Sequence, residues 1–369
     1  MMQDPIWQFS LQTVHALVWG GSLLVAMYLV VRYMPLRTLV VSTTVITLGL
    51  VALGAYVRLT DAGLGCPDWP GCYGQLSPLH ADVSIQDAER IAPAGPVSMT
   101  KAWREMMHRY LASFVGILIV AIVVRICLNR RQRNTYSDGP SQQLGLPLVL
   151  VAAVVLQGLF GKWTVTLLLK PAIVSLHLLG GMLILALLAW LTARHLNFAG
   201  ARRPAEARAF RPWAALGLLV LTAQIALGGW VSTNYAALAC LDFPTCHGSF
   251  MPPMDFAHGF HVVRELGMTA NGDLLSNEAL NAIHWAHRVG ALITFLYLGL
   301  IGHWAMRTGG LRSYGVALLA ALVLQIVLGI SNVLAMLPLP VAVAHNAVAG
   351  LLLATLVVLN FALYSEPAR

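Results

Sequence analysis

Cys66-Pro67-Asp68-Trp69-Pro70-Gly71-Cys72-Tyr73-Gly74 returns later in the chain as Cys240-Leu241-Asp242-Phe243-Pro244-Thr245-Cys246-His247-Gly248. The match extends outward from both copies. Gly54-Ala55-Tyr56-Val57 precedes the first copy as Gly228-Gly229-Trp230-Val231 precedes the second. Downstream, His108-Arg109 falls on His287-Arg288, Gln157 and Gly161 on Gln325 and Gly329, and His177 on His345. Self-similarity on this scale reads as two copies of one structural unit.

The unit is built for a bilayer. Of 369 residues, 58% are hydrophobic and 10% charged, where a soluble domain carries about 25% charged residues. Mean hydropathy is +0.73. A soluble single-core protein, a disordered chain and a nucleic-acid binder are thereby excluded. Apolar runs of about 20 residues can each cross a membrane as a helix. Nine are expected, roughly at 11–31, 38–58, 104–126, 145–166, 172–193, 212–232, 283–304, 313–334 and 341–363. The first has no strong Lys/Arg-rich lead or small-residue cleavage site, so it reads as a retained span and not a signal peptide.

The expected fold is thus all-α and integral to the membrane. An extra N-terminal helix (1–36) precedes an N-terminal four-helix bundle (37–200, loop 59–103) and a C-terminal one (201–369, loop 233–282). Four helices per copy give both copies the same orientation, unlike the inverted repeats of many transporters. Equivalent sites then share one depth, each inside its own bundle.

Of the 23 Lys and Arg residues, 14 fall in the short loops and C-terminal end of one side, among them Arg130, Arg131, Arg202 and Arg203. The positive-inside rule places that side, with the C-terminus, in the cytoplasm of a bacterial-type inner membrane, and the N-terminus and both long loops outside.

His108, His177, His287 and His345 each lie about four to six residues past the outer end of a span. Two imidazoles facing each other across a four-helix bundle can ligate a haem iron from both sides. The plainer alternative is an interfacial or packing histidine, and zinc would want three or four clustered ligands. His15 and His303 read as packing residues, and His80, His247, His258 and His261 as solvated loop residues.

The copies differ at one point that bears on chemistry. Glu105 precedes His108 by three residues, where His284 precedes His287. That spacing puts each pair on one helix face. A carboxylate beside a haem can take protons or stabilise positive charge, or it can be an ordinary first-turn Glu favoured by the helix dipole. Cys66/Cys72 and Cys240/Cys246 read as loop disulfides, with a redox-active dithiol or a zinc knuckle as alternatives; Cys127 reads as a small packing residue. Arg58, Arg109 and Arg288 lie near the histidine layer, suited to haem propionates or to snorkelling at the interface.

Taken together, Gly54-Ala55-Tyr56-Val57-Arg58-Leu59-Thr60, the Cys66–Cys72 loop, Glu105-x-x-His108-Arg109 and the three further histidines resemble the haem A synthase family over nearly the whole chain after the first span. The resemblance implies two pseudo-symmetric four-helix bundles and oxidation of the C8 methyl group of haem O to the formyl group of haem A, for haem-copper terminal oxidases. It implies that His108 and His177 take the substrate haem, with Glu105 catalytic, and that His287 and His345 hold a haem b. It also implies a Cys66–Cys72 disulfide. Haem O would arrive from the lipid, delivered by haem O synthase, and electrons would leave to an acceptor the sequence does not name. Homo-oligomerisation stays open. The additional N-terminal span departs from the family's core, and some members lack the second cysteine pair. Two other classes compete: a di-haem b cytochrome carrying electrons from quinol to a partner, which has no need of the Glu105/His284 difference, and a transporter, which would place its ionisable residues at the midplane.

Overall fold

The computed structural model describes residues 28, 29, 31–132, 143–198 and 205–364. Among them eight helices are long and apolar enough to cross a membrane. They are α1 (Leu36–Leu59), α2 (Met99–Gln132), α3 (Gly145–Thr166), α4 (Pro171–His195), α5 (Arg211–Thr233), α6 (Asn277–Arg307), α7 (Arg312–Leu334) and α8 (Leu339–Tyr364). The chain is a multi-pass, all-helical membrane protein. The ninth expected span, 11–31, lies outside the described residues except at positions 28, 29 and 31.

Two helices overrun their apolar stretches. α2 starts five residues before the expected 104, and α6 starts six before 283. Hydropathy marks only the part of a helix that lies in lipid. The extra turns are held by local bonds and by loop packing: Ser276 caps α6 through Ala279 N–H at 3.2 Å, and Ala102, Glu105 and Met106 of α2 are buried under the first long loop.

The helices fall into two rings. α1 packs on α2, α2 on α3, α3 on α4 and α4 on α1; α5 to α8 close in the same order. The histidine-bearing helices α2 and α4 therefore sit diagonally across one ring, and α6 and α8 across the other. The rings meet where α8 packs on α1 and α4, and where α4 packs on α5. This seam is apolar, built from Met182, Leu185, Leu352 and Leu356 among others. Gly350 lets α8 approach closely, since a Cβ there would lie 3.1 Å from both Leu185 and Leu48; such small residues are how helices pack in a solvent as apolar as their own side chains.

The backbone repeats as the sequence does. After α1 and α5 the chain turns through left-handed residues at Asp61 and Tyr235; after α3 and α7 it does so through Leu168–Leu169 and Met336–Leu337. The long loops carry short helices, including Asp82–Ile91 in the first and Phe256–Gly259 in the second.

Candidate functional site

Each of the four histidines rests in a notch left by a glycine on the neighbouring helix. A Cβ added to Gly54 would lie 3.1 Å from Cε1 of His108, and one at Gly161 would lie 3.3 Å from that of His177. In the second ring the corresponding distances are 3.1 Å for Gly228 to His287 and 3.1 Å for Gly329 to His345. All four pairings are α1–α2 or α3–α4 in the first ring and their matches in the second. A side chain even as small as alanine's would press on the imidazole and require it to shift by a few tenths of an ångström.

The paired rings lie within electrostatic range of each other, His108 with His177 and His287 with His345. Glutamines brace them. Gln157 Nε2 donates to the backbone oxygen of His177 at 2.7 Å. Gln224 Nε2 lies 3.0 Å from Nδ1 and 3.1 Å from the backbone oxygen of His287, and Gln325 Nε2 lies 3.2 Å from Nε2 of His345. Gln224 was not singled out from sequence, because its match in the first copy is Leu50; a lone Gln inside an apolar span was the available signal.

The donor set fits a haem. Ring nitrogens of His108, His177 and His345 are buried with no protein partner. Such an atom is costly to leave unmade and marks a place for a ligand. Imidazoles on two diagonal helices would supply nitrogen ligands to a haem iron. Among the described residues no three His, Cys, Asp or Glu side chains gather into a metal cage.

Beside each ring pair stands a docked loop. Cys66 and Cys72 are disulfide-bonded, as are Cys240 and Cys246. Glu105 is 5% exposed. Its Oε2 accepts the Cys66 N–H at 2.8 Å, and its Oε1 takes Arg109 Nη2 at 2.6 Å. Arg109 Nη1 donates to the carbonyls of Asp68 at 2.9 Å, of Pro70 at 3.4 Å and of Gly71. In the second ring His284 takes the same position: its Nδ1 accepts the Cys240 N–H at 3.3 Å and its Nε2 faces Arg288 Nε at 3.3 Å. Arg288 donates to the carbonyls of Thr245 at 2.7 Å and Cys240 at 2.9 Å. Asp68 and Asp242 each turn back onto two backbone N–H groups of their own loop. The Thr245 hydroxyl, at 2.5 Å, is the main reason that the Asp242 carboxyl sits well below the usual carboxylate range, followed by the Gly248 N–H.

The three arginines offered for haem propionates also meet protein groups. Arg109 and Arg288 face loop carbonyls. Arg58 crosses to the second ring, donating to Ser232 O at 2.7 Å and lying 4.0 Å over the ring of Tyr235. His80, His247, His258, His261 and His303 are exposed, away from the notches. Cys127, expected to pack, is exposed; the inner end of α2 presents it outward.

A family profile described as cytochrome oxidase assembly protein matches residues 37–357. The chain belongs to the haem A synthase family. A heme A synthase of Shewanella oneidensis is 40% identical over 313 residues, which cover 85% of this chain and 92% of that one. One of Methylobacterium radiotolerans is 30% identical over 320 residues, 80% and 81% of the two chains. One of Caulobacter vibrioides is 28% identical over 322 residues, 82% and 88%. Alignments of this extent run through both rings, so the likeness to the haem A synthases is not confined to one motif.

Proposed function

We propose that this chain is a membrane oxidoreductase that converts the C8 methyl group of haem O to the formyl group of haem A, for assembly of haem-copper terminal oxidases. The observation that carries the reading is the set of four glycine-notched imidazoles, in two facing pairs, in a chain related to haem A synthases along most of its length. His108 and His177 take the substrate haem; His287 and His345 hold a resident haem b, which supplies one-electron redox chemistry when bound. Glu105 distinguishes the first site. It lies one turn before His108, where the second site has His284, so a negative charge stands beside only one of the pairs.

The residues divide the work. His108 and His177, and likewise His287 and His345, would hold the haem iron from opposite helices of their ring. Glu105, anchored by Cys66 N–H and Arg109, is held in place and does not swing on a free side chain; it offers its remaining lone pairs to a proton or to positive charge developing at the substrate. Written as the half-reaction R–CH3 + H2O → R–CHO + 4 H+ + 4 e−, with the electrons passing to an external acceptor, the change releases protons more than once, and a fixed carboxylate is suited to taking them. The apolar ring walls exclude water and admit a farnesylated haem from the bilayer, delivered by haem O synthase. Both disulfide loops lie on the extracytoplasmic side, with the C-terminus in the cytoplasm, a reading the Arg distribution supports.

Pigment extraction from purified His108→Ala, His177→Ala, His287→Ala and His345→Ala variants tests the division. The first two should lose haem O and haem A and keep haem b; the last two should lose haem b. Loss of all pigment in every variant, or of none, would overturn the assignment.

A further inference from the structure

The glutamines beside the histidines are shared unequally between the two rings. In the second ring Gln224 of α5 reaches His287 on α6, where its Nε2 lies 3.0 Å from Nδ1 and 3.1 Å from the backbone oxygen. The amide is seated against Gly290, three residues beyond His287. A Cβ at Gly290 would run into Gln224 Oε1 and would lie 2.9 Å from Leu227 Cδ1. Gln325 of α7 brings its Nε2 to 3.2 Å from Nε2 of His345. Both imidazoles of this ring thus meet a side-chain amide at a ring nitrogen.

Neither imidazole of the first ring does. Gln157, the match of Gln325, is seated against Gly180, where a Cβ would run into its Oε1. Its Nε2 donates to the backbone oxygen of His177 at 2.7 Å, and Nδ1 of His177 is buried with no partner. At His108 the amide itself is missing. Carried through the repeat, Leu50 stands where Gln224 does and Leu111 where Gly290 does, so the glutamine and its seat are exchanged together. Leu50 packs against an apolar cluster that includes Val115 and Leu118, and Nδ1 of His108 is buried with no partner.

A neutral imidazole that binds a metal through one nitrogen carries its proton on the other. The group that accepts that proton fixes the ring's orientation and raises its basicity, and losing it typically costs about 10–100-fold in metal affinity. A glutamine amide suits the task, since it presents an oxygen acceptor and an NH2 donor at one place and exchanges them by turning about its last side-chain bond. Gln224 Oε1 and Gln325 Oε1 are buried and without a partner, so an acceptor stands beside each imidazole of the second ring. Gln157 Oε1 is without a partner too, but its amide meets the backbone of His177 and not the ring. Leucine at position 50 offers no lone pair at all. We propose that Gln224, seated by Gly290, is the positioning residue that makes the second ring retain its haem, and that the Leu50/Leu111 pair leaves His108 the readily released ligand through which the first ring exchanges substrate for product. The inference rests on the reading that each histidine pair takes a haem; it adds which pair holds and which lets go, and through which residues.

The test uses the full chain in detergent, loaded with haem b, in two forms. In His287→Ala/His345→Ala only the first ring can bind, and in His108→Ala/His177→Ala only the second. Haem loss to excess apomyoglobin is followed at the Soret band, and the midpoint potential is read by redox titration. The second-ring form should lose haem about 10–100-fold more slowly than the first-ring form. Adding Gln224→Leu to it should speed the loss by about that factor and raise the potential, because a less basic imidazole favours ferric iron less. Adding Leu50→Gln with Leu111→Gly to the first-ring form should slow the loss and lower the potential. Gln157→Leu removes an amide that meets only backbone, and should leave the first-ring potential where it was. Gly290→Ala displaces the Gln224 amide and keeps the glutamine; it should act as Gln224→Leu does, and it stands in for that variant if the leucine chain does not fold. Equal loss rates and equal potentials with and without the Gln224 amide, haem being bound in both, would overturn this inference alone. Failure of both forms to bind haem would overturn the reading of the sites beneath it, and the inference with it.

Discussion

Replacing Gly228 by alanine puts one methyl group into the notch that holds His287. Its carbon would lie 3.1 Å from Cε1, 3.7 Å from Nδ1 and 3.8 Å from Nε2. Carbon atoms rest at about 3.5–4.0 Å, so the ring must retreat by about 0.5 Å, beyond the roughly 0.2 Å tolerance of a metal–ligand bond. Overpacking of this kind costs about 1–3 kcal/mol, which is about 5- to 150-fold in affinity at 1.4 kcal/mol per decade. Gly228→Val, with two further carbons aimed at the ring, should abolish binding. Gly299, on α6 itself, is the control: nothing lies within 4 Å of a Cβ there, and an alanine in a helix should stabilise by about 0.4–1 kcal/mol. The assay is titration of haem-depleted protein with haem b, followed by its Soret band. Gly228→Ala should weaken binding by that factor while Gly299→Ala leaves it unchanged. Equal affinities in the two variants would refute the notch as the seat of the ligand.

Glu105→Gln keeps an acceptor for Cys66 N–H but removes the charge. Haem b content should be unchanged and haem A should disappear, and undiminished haem A on pigment extraction would remove Glu105 from the chemistry. Glu105→Ala also strands Arg109 and the Cys66 N–H in a buried site, at about 3–5 kcal/mol, so its thermal unfolding temperature should fall well below that of the Gln variant. Asp242 has its folded pKa lowered, so its contribution to loop order is present above the unfolded carboxylate value and is lost only as pH falls through the lower folded value. Amide hydrogen exchange at His247 and Gly248 should therefore stay slow through pH 4, about the ordinary Asp range, and speed up below it; acceleration already at pH 5 would show that the carboxylate does not hold those N–H groups.

Much of this architecture was legible in the sequence because lipid imposes it. An apolar run has to be a helix, and four matched runs per copy led to the expectation of two four-helix rings, which the helix packing shows. The duplicated Cys–Asp–Pro–Cys segment located both loops, and the His-Arg pairs located the ring level. The overhangs of α2 and α6 were not legible, since caps such as Ser276 and packing beneath a loop leave no trace in hydropathy. Nor was the direction of Arg109 and Arg288: a guanidinium beside a haem level suits propionates and backbone carbonyls equally, and only the fold of the loop decides. Gly54 and Gly228 showed in the sequence as markers of the repeat; that they are notches became visible when the neighbouring imidazoles were in place. His284 was read as a difference in chemistry, and the structure adds that it replaces Glu105 bond for bond as a loop anchor.

The most direct measurement is the pigment content and Soret absorbance of the purified full chain, expressed with ample haem, beside a variant with His108, His177, His287 and His345 all replaced by alanine. The native chain should carry haem b together with haem O or haem A, and the fourfold variant should be folded by circular dichroism and colourless. A colourless native protein, or a fourfold variant that keeps its full absorbance, would contradict haem ligation by these four side chains.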